Sequence, residues 1–123
     1  MHLLVTQPGQ ILDDGEAVDL GQTPGDIVVL SAASSDLSVL ALARRASQAG
    51  GADGLPSLRL ANLMQLSHHM SVDVYLENTI AHARLVSVRL LGGAGYWPYG
   101  LEQLAALAKE KNIDRTNLST IIE

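Results

Sequence analysis

The sequence has 123 residues, a formal net charge of −5 and no cysteine. Its length suits one domain, and 47% hydrophobic residues is typical of a chain with a packed core rather than a disordered one. The acidic balance argues against nucleic-acid binding, and the lack of cysteine excludes disulfides, thiolate metal ligands and cysteine nucleophiles. No apolar run approaches the roughly 20 residues of a membrane span, and no signal peptide is recognisable. We therefore expect a cytoplasmic protein.

The first half of the chain predicts strands followed by a helix. Residues 1–6 are a short apolar run that predicts a first strand, and residues 16–20 are a candidate minor edge strand. Residues 26–31 read Asp-Ile-Val-Val-Leu-Ser, which suits a strand buried on both faces. The helix that follows has three candidate N-cap side chains, Ser34, Ser35 and Asp36. It is expected to end at Gly50.

The second half predicts two more strands, each followed by a helix. Residues 58–61 predict a strand, and Ser71 is the expected cap of a helix with apolar positions on one face. Residues 85–91 predict the next strand. The last helix has Lys109 in its final turn, where a cation complements the helix dipole.

This alternation of strands and helices predicts an α/β fold. We expect a Rossmann-like three-layer domain with a mainly parallel sheet of about four strands and about three helices. Ligand sites in such folds lie beyond the carboxyl ends of the strands, here at residues 31–35, 62–70 and 92–97. These loops hold most of the unusual side chains.

Residues 92–95, Gly-Gly-Ala-Gly, occupy the position of a phosphate loop between a strand and a helix. Gly93 and Gly95 fit the first two places of a G-x-G-x-x-G motif, but Pro98 stands where the third glycine belongs. The Lys-Ser/Thr pair of a P-loop is also absent. Two interpretations stay open: a loop that holds an anion or nucleotide, and glycines that only permit a tight turn with positive φ.

Aromatic and histidine residues stand out in the same loops. Tyr96, Trp97 and Tyr99 crowd together, and such residues are enriched at interfaces but also pack in cores, so both interpretations stay open. His68 and His69 are adjacent, but no His-x-x-x-His or carboxylate pattern completes a metal site. A capping or loop position, or a pH-sensitive contact, is the expectation for this pair. The residues alone give no complete catalytic set.

Three stretches of the chain resemble a known family. They are residues 1–5 with 17–21, residues 26–33 and, above all, residues 66–104, which read LSHHMSVDVYLENTIAHARLVSVRLLGGAGYWPYGLEQL. They resemble the N-terminal region of the large subunit of aerobic cobaltochelatase, a relative of the magnesium chelatase large subunit. The resemblance makes residues 1–112 one α/β domain. It leaves 113–123 as an unassigned tail, divergent or truncation-related, with the fourth parallel strand missing or replaced.

The resemblance implies a ligase of cobalamin (vitamin B12) biosynthesis. The family's enzyme inserts cobalt into hydrogenobyrinic acid a,c-diamide, with ATP hydrolysed by two smaller subunits, one of them an AAA+ ATPase. Expected partners are the rest of the large subunit, the two smaller subunits, the tetrapyrrole and a second copy through an exposed sheet edge. We expect the chain alone to be inactive and to bind no cofactor or metal, because family members are far longer than one domain.

Six residues in the matching motifs are candidates for a tetrapyrrole-binding or interdomain surface: His68, His69, Gly93, Gly95, Tyr96 and Trp97. No catalytic residue is assigned. Two other classes of function stay open. One is a small flavodoxin-like or nucleotide-binding module that holds an anion at helix N-termini, and the other is a purely structural assembly domain.

Overall fold

The computed structural model describes residues 17–90, 92–110 and 118–122. Strands and helices alternate in this order: β1 Ile27–Ser31, α1 Ser34–Ala49, β2 Leu58–Asn62, α2 His69–Asn78, β3 Leu85–Leu90, α3 Pro98–Glu110 and β4 Leu118–Ile122. Short 3-10 turns lie at Leu63–Leu66, Ile80–His82 and Ala94–Tyr96. The predicted α/β class is confirmed. Within the ranges described, no helix is long and apolar enough to cross a membrane.

The sheet is parallel, with the strand order β2-β1-β3-β4. β1 lies between two neighbours, so that Ile27 pairs with Leu58 on one side and with Leu85 on the other. The crossover from β1 to β2 runs towards one edge of the sheet, and the crossover from β2 to β3 runs back towards the other edge. Right-handed crossovers therefore place α1 on one face of the sheet and both α2 and α3 on the other. α2 and α3 contact each other, whereas α1 packs on β1 and β2.

The fourth strand comes from the tail that the resemblance left unassigned. The backbone of β4 pairs in parallel with β3, with Val86 opposite Leu118 and Leu90 opposite Ile122. A fourth parallel strand is therefore present, and it pairs with the edge of β3 that faces away from β1. The predicted strand at residues 1–6 lies outside the described residues.

The core lies between the sheet and the α2–α3 layer. Val28 and Leu30 of β1 are fully buried, and their neighbours Ile27 and Val29 are half-buried. The prediction that this strand is buried on both faces is therefore wrong, because α1 covers its second face only in part. The core residues outside the strands are Leu63, Leu66, Val72, Tyr75, Leu76, Ile80, Trp97 and Leu104.

Helix α2 begins earlier than the sequence predicts. Its N-cap is His68, whose Nδ1 accepts a hydrogen bond from the backbone N–H of Met70 at 3.0 Å. The capping interpretation of His68 is confirmed, and the prediction of Ser71 as the cap is wrong. Ser71 is buried inside the helix, and its hydroxyl accepts a bond from the backbone N–H of Val18 at 2.7 Å. A contact across 53 residues thus decides the role of this serine.

Residues 17–25 lie against β2 without forming a strand, so the prediction of a minor edge strand is wrong for residues 17–20. Gln22 makes the link: its Nε2 donates to the carbonyl oxygen of Leu60 at 2.8 Å. Its Oε1 accepts a bond from the Tyr75 hydroxyl at 2.7 Å. Burial raises the pKa of Tyr75, so the hydroxyl keeps the proton that it donates. Side-chain hydrogen bonds, not a backbone ladder, hold this segment to the sheet.

We expect Gly100→Ala to destabilise the domain. A Cβ at Gly100 would lie 2.1 Å from ring atoms of Trp97, and that ring is held by a bond from its Nε1 to the Leu66 carbonyl oxygen at 3.1 Å. Overpacking should lower the free energy of unfolding by about 1–3 kcal/mol, more than helix propensity returns. Urea unfolding measures the loss. Gly95→Ala is the control, because nothing lies within 4 Å of its added Cβ; equal losses in both variants would contradict the prediction.

Acid should weaken the contact between the starts of β1 and β2. Asp26 Oδ2 accepts bonds from the backbone N–H and from the hydroxyl of Ser57, each at 3.1 Å. These bonds hold the pKa of Asp26 below its ordinary value. A depressed folded pKa stabilises the fold above the unfolded pKa, and this contribution is lost as pH falls through the folded pKa.

We therefore expect Asp26→Asn to lose less unfolding free energy than the parent chain between about pH 6 and about pH 3. Urea titrations at both values measure the difference. The same pH dependence in the variant and the parent would refute the assignment.

Candidate functional site

The loops after β1, β2 and β3 meet at the carboxyl edge of the sheet. The connection from β1 leaves to one side and the connection from β3 to the other, so a crevice opens beyond these two strand ends. This crevice is the candidate functional site. Its polar residues are Ser31, Ser34, Asp36, Asn62 and Arg89.

Asp36 is the centre of the hydrogen-bond network in the crevice. Its Oδ2 accepts a bond from the Ser31 hydroxyl at 2.9 Å, and its Oδ1 accepts one from Arg89 Nη1 at 2.8 Å. The Ser31 hydroxyl oxygen accepts the backbone N–H of Ala33 at 3.0 Å. One carboxylate thus ties together the end of β1, the first turn of α1 and the end of β3.

The prediction that Ser34, Ser35 or Asp36 is the N-cap of α1 is wrong. The N-cap is Ala33, which has no capping side chain, and Asp36 lies in the first turn of the helix. Ser34 and Ser35 also lie inside the helix. The hydroxyl of Ser34 accepts a bond from Asn62 Nδ2 at 3.1 Å, which joins the end of β2 to this group.

The glycine loop after β3 forms a tight turn. Gly92 and Gly93 have φ values of 98° and 101°, which favour glycine. A Cβ at Gly92 would also lie 2.6 Å from the ring of Tyr96, so a side chain has no room there. The tight-turn interpretation is confirmed for Gly93, whereas Gly95 lies exposed in the following 3-10 turn.

Trp97 lies in the core. Its side chain is only 3% exposed, and its Nε1 donates to the Leu66 carbonyl oxygen. Of the two interpretations of Trp97, core packing is therefore confirmed, and an exposed interface position is not. Pro98 begins α3, as a proline at the first helical position predicts.

The two adjacent histidines have different contacts. His68 caps α2, whereas the ring of His69 stacks on Tyr99 with centroids 3.8 Å apart and planes 13° apart. The Tyr99 hydroxyl donates to Asp73 Oδ1 at 2.7 Å. Among the described residues, no group of three or more His, Cys, Asp or Glu side chains is arranged to hold a metal ion.

The six predicted candidates thus lie on two adjoining loops. One loop starts α2 and carries the histidines, and the other precedes α3 and carries the glycines and aromatics. The bond from Trp97 to Leu66 and the stack of His69 on Tyr99 join the two loops. Sequence reasoning missed the pair of Asp36 and Arg89. The available signal was the opposite charge of Asp36, in the first turn of the helix after β1, and Arg89, near the end of β3.

We expect the Asp36 network to contribute measurably to stability. Asp36→Ala removes the acceptor for two donors and should lower the free energy of unfolding by about 1–2 kcal/mol. In a double-mutant cycle with Arg89→Ala, the double variant should lose about 0.5–1 kcal/mol less unfolding free energy than the sum of the two single variants. The coupling is modest because both side chains keep some exposure. Asp53→Ala in an exposed loop is the control; strictly additive losses would argue against the pair.

The strand order and the crevice define a doubly wound α/β domain in which β1 and β3 flank the switch point. No family model matches the chain, and no solved structure matches it. Two curated proteins do, both called aerobic cobaltochelatase subunit CobN. The one from Pseudomonas aeruginosa is 51% identical over 109 residues, and the one from a Sinorhizobium species is 56% identical over 108 residues.

The matches cover 89% and 88% of this chain. The matched residues therefore belong to the family of the aerobic cobaltochelatase subunit CobN, and the resemblance seen in the sequence is confirmed. The chain spans only 8% of the length of each of these relatives. It corresponds to a small part of such a subunit.

Proposed function

We propose that this chain is the N-terminal α/β domain of the large subunit of an aerobic cobaltochelatase. That enzyme inserts cobalt into hydrogenobyrinic acid a,c-diamide in cobalamin biosynthesis, in the cytoplasm. The observation that carries the proposal is the identity of 51–56% over nearly nine-tenths of the chain. ATP is hydrolysed by the two smaller subunits, which agrees with the missing P-loop lysine after β3.

The domain contributes to assembly and to the substrate cleft rather than to the chemical step. In the crevice, both carboxylate oxygens of Asp36 accept bonds from the domain's own Ser31 and Arg89. These bonds give the carboxylate a structural role. We expect the chain by itself to be inactive in cobalt insertion, because it spans only 8% of the length of each relative, and cobalt is a substrate of the complete enzyme.

The surface beside the crevice fits part of a tetrapyrrole. Such a substrate has a broad apolar face and, as an acid diamide, peripheral carboxylates and amides. The stacked rings of His69 and Tyr99 offer a flat surface, and Tyr96 lies half-buried on the neighbouring loop. Arg89, which bonds to Asp36, lies at the same edge and keeps 36% of its side chain exposed.

An absorbance titration of the chain with hydrogenobyrinic acid a,c-diamide tests the substrate role. We expect saturable binding, and His69→Ala should raise the Kd about three- to tenfold because one stacking ring is lost. His82→Ala, an exposed histidine before β3 at the opposite edge of the sheet, is the matched control. The complete Pseudomonas aeruginosa subunit is titrated in parallel.

Binding by the complete subunit but not by the chain would refute the substrate role and leave assembly. Cobalt insertion by the chain without partners would refute its inactivity. A rise in Tm with a nucleotide or a flavin would instead favour the flavodoxin-like module, since the strand order suits that class.

A further inference from the structure

Helix α1 carries large apolar side chains that face solvent. The exposed fraction is 64% for Val39 and 62% for Leu42, the two highest values among large hydrophobic residues in the described part of the chain. Leu40, on the same helix, is 37% exposed. The structure describes all 16 residues of α1, and none of them is buried.

The exposed residues form one face of the helix. At about 100° per residue, positions i, i+3, i+4 and i+7 lie on the same side. We call this side the outer stripe of α1; it consists of Val39, Leu42, Ala43 and Ala46, all exposed. The half-buried residues Leu37, Ala41 and Arg44 have the same kind of spacing and lie on the opposite side, towards the sheet. The outer stripe therefore points directly away from the domain and contains no charge.

The two flanks of the outer stripe face different strands. Towards β2, Ser38 and Arg45 line grooves of about 360–370 Å³ between the helix and the strand. The other flank faces β3, because Asp36 on that side reaches Arg89. Leu40 lies on this flank, so the apolar surface continues from the outer stripe towards the part of the sheet that α1 does not cover.

A helix with apolar side chains on opposite faces is typical of a helix covered on both sides. Contiguous exposed apolar surface marks an interaction site. In the curated relatives, the matched region is 8% of a much longer subunit, so the same domain there is joined to a large remainder. The remaining part of such a subunit is therefore available to cover the exposed apolar face of α1.

We propose that the outer stripe of α1, together with Leu40, is the docking surface for an amphipathic helix of the remaining part of a cobaltochelatase large subunit. The uncharged stripe calls for an apolar partner face. In the outer stripe, the large Val39 and Leu42 are followed by the small Ala43 and Ala46, and the small residues allow a partner helix to approach closely. The inference rests on family membership and not on the proposed tetrapyrrole surface, which lies at the carboxyl edge of the sheet.

Cysteine labelling tests the proposal. The chain has no cysteine, so Leu42→Cys and Ser38→Cys each place a single thiol on α1, the second on the polar flank as a matched control. Each variant is labelled with a maleimide as the isolated chain and within a complete Pseudomonas aeruginosa subunit in which this chain replaces the matched region. Peptide mass spectrometry follows labelling at the chosen site.

In the isolated chain, both thiols should react at similar rates. In the complete subunit, we expect Leu42→Cys to react at least about tenfold more slowly and Ser38→Cys to be unchanged. Equal rates for Leu42→Cys in both contexts would overturn the proposal. Protection that already occurs in the isolated chain and grows with its concentration would also overturn it, in favour of a second copy as the occupant.

A second measurement covers the case in which the chimeric cysteine variant does not fold. Leu42→Glu should leave the Tm of the isolated chain within a few degrees of the parent, because the side chain lies outside the domain's core. In the chimeric subunit, Leu42→Glu should lower the Tm relative to Ser38→Glu. Equal Tm values for these two subunits would overturn the proposal, whatever the outcome of the tetrapyrrole titration.

Discussion

The parallel pairing of β1 with β2 and β3 is the constraint on which the rest of the structure depends. Parallel neighbours need long crossovers, which here are the helices, and all loops that follow strands then meet at one edge. Both ends of β1 are also tied laterally. At its start the carbonyl oxygen of Asp26 accepts the N–H of Arg84 at 2.7 Å, and at its end Ser31 bonds to Asp36. The central strand thereby sets the position of its neighbours.

The two faces of this sheet are covered by helices to different extents, and this difference bears on the role that we propose. On one face α2 and α3 enclose a dense core that includes Trp97, which is 3% exposed. On the other face α1 packs on β1 and β2, and its outer stripe remains in solvent. A domain that is complete on one side and apolar on the other suits a component of a larger subunit, which is the role that we propose for this chain.

The residues at the carboxyl edge differ in how they are used within the domain. His68 caps a helix, Gly92 makes room for a ring and Asp36 bridges neighbouring strands, so each of these is used internally. His69 and Tyr99 form a stacked pair, and His69 is exposed. The adjacent residues His68 and His69 therefore have different contacts, because successive side chains at a helix start point in different directions.

The sequence by itself determined the elements whose signals are local. The apolar runs of β1 and β3, the helical spacing of α1 and α3 and the proline at the start of α3 all depend on neighbours along the chain. The motifs of residues 66–104 also indicated the family, because a family resemblance is a property of the sequence itself. Only the tertiary structure decided the burial of Trp97 and the pairing of Asp36 with Arg89. Contacts across 31 and 53 residues create these features, and no local pattern encodes which distant groups will meet.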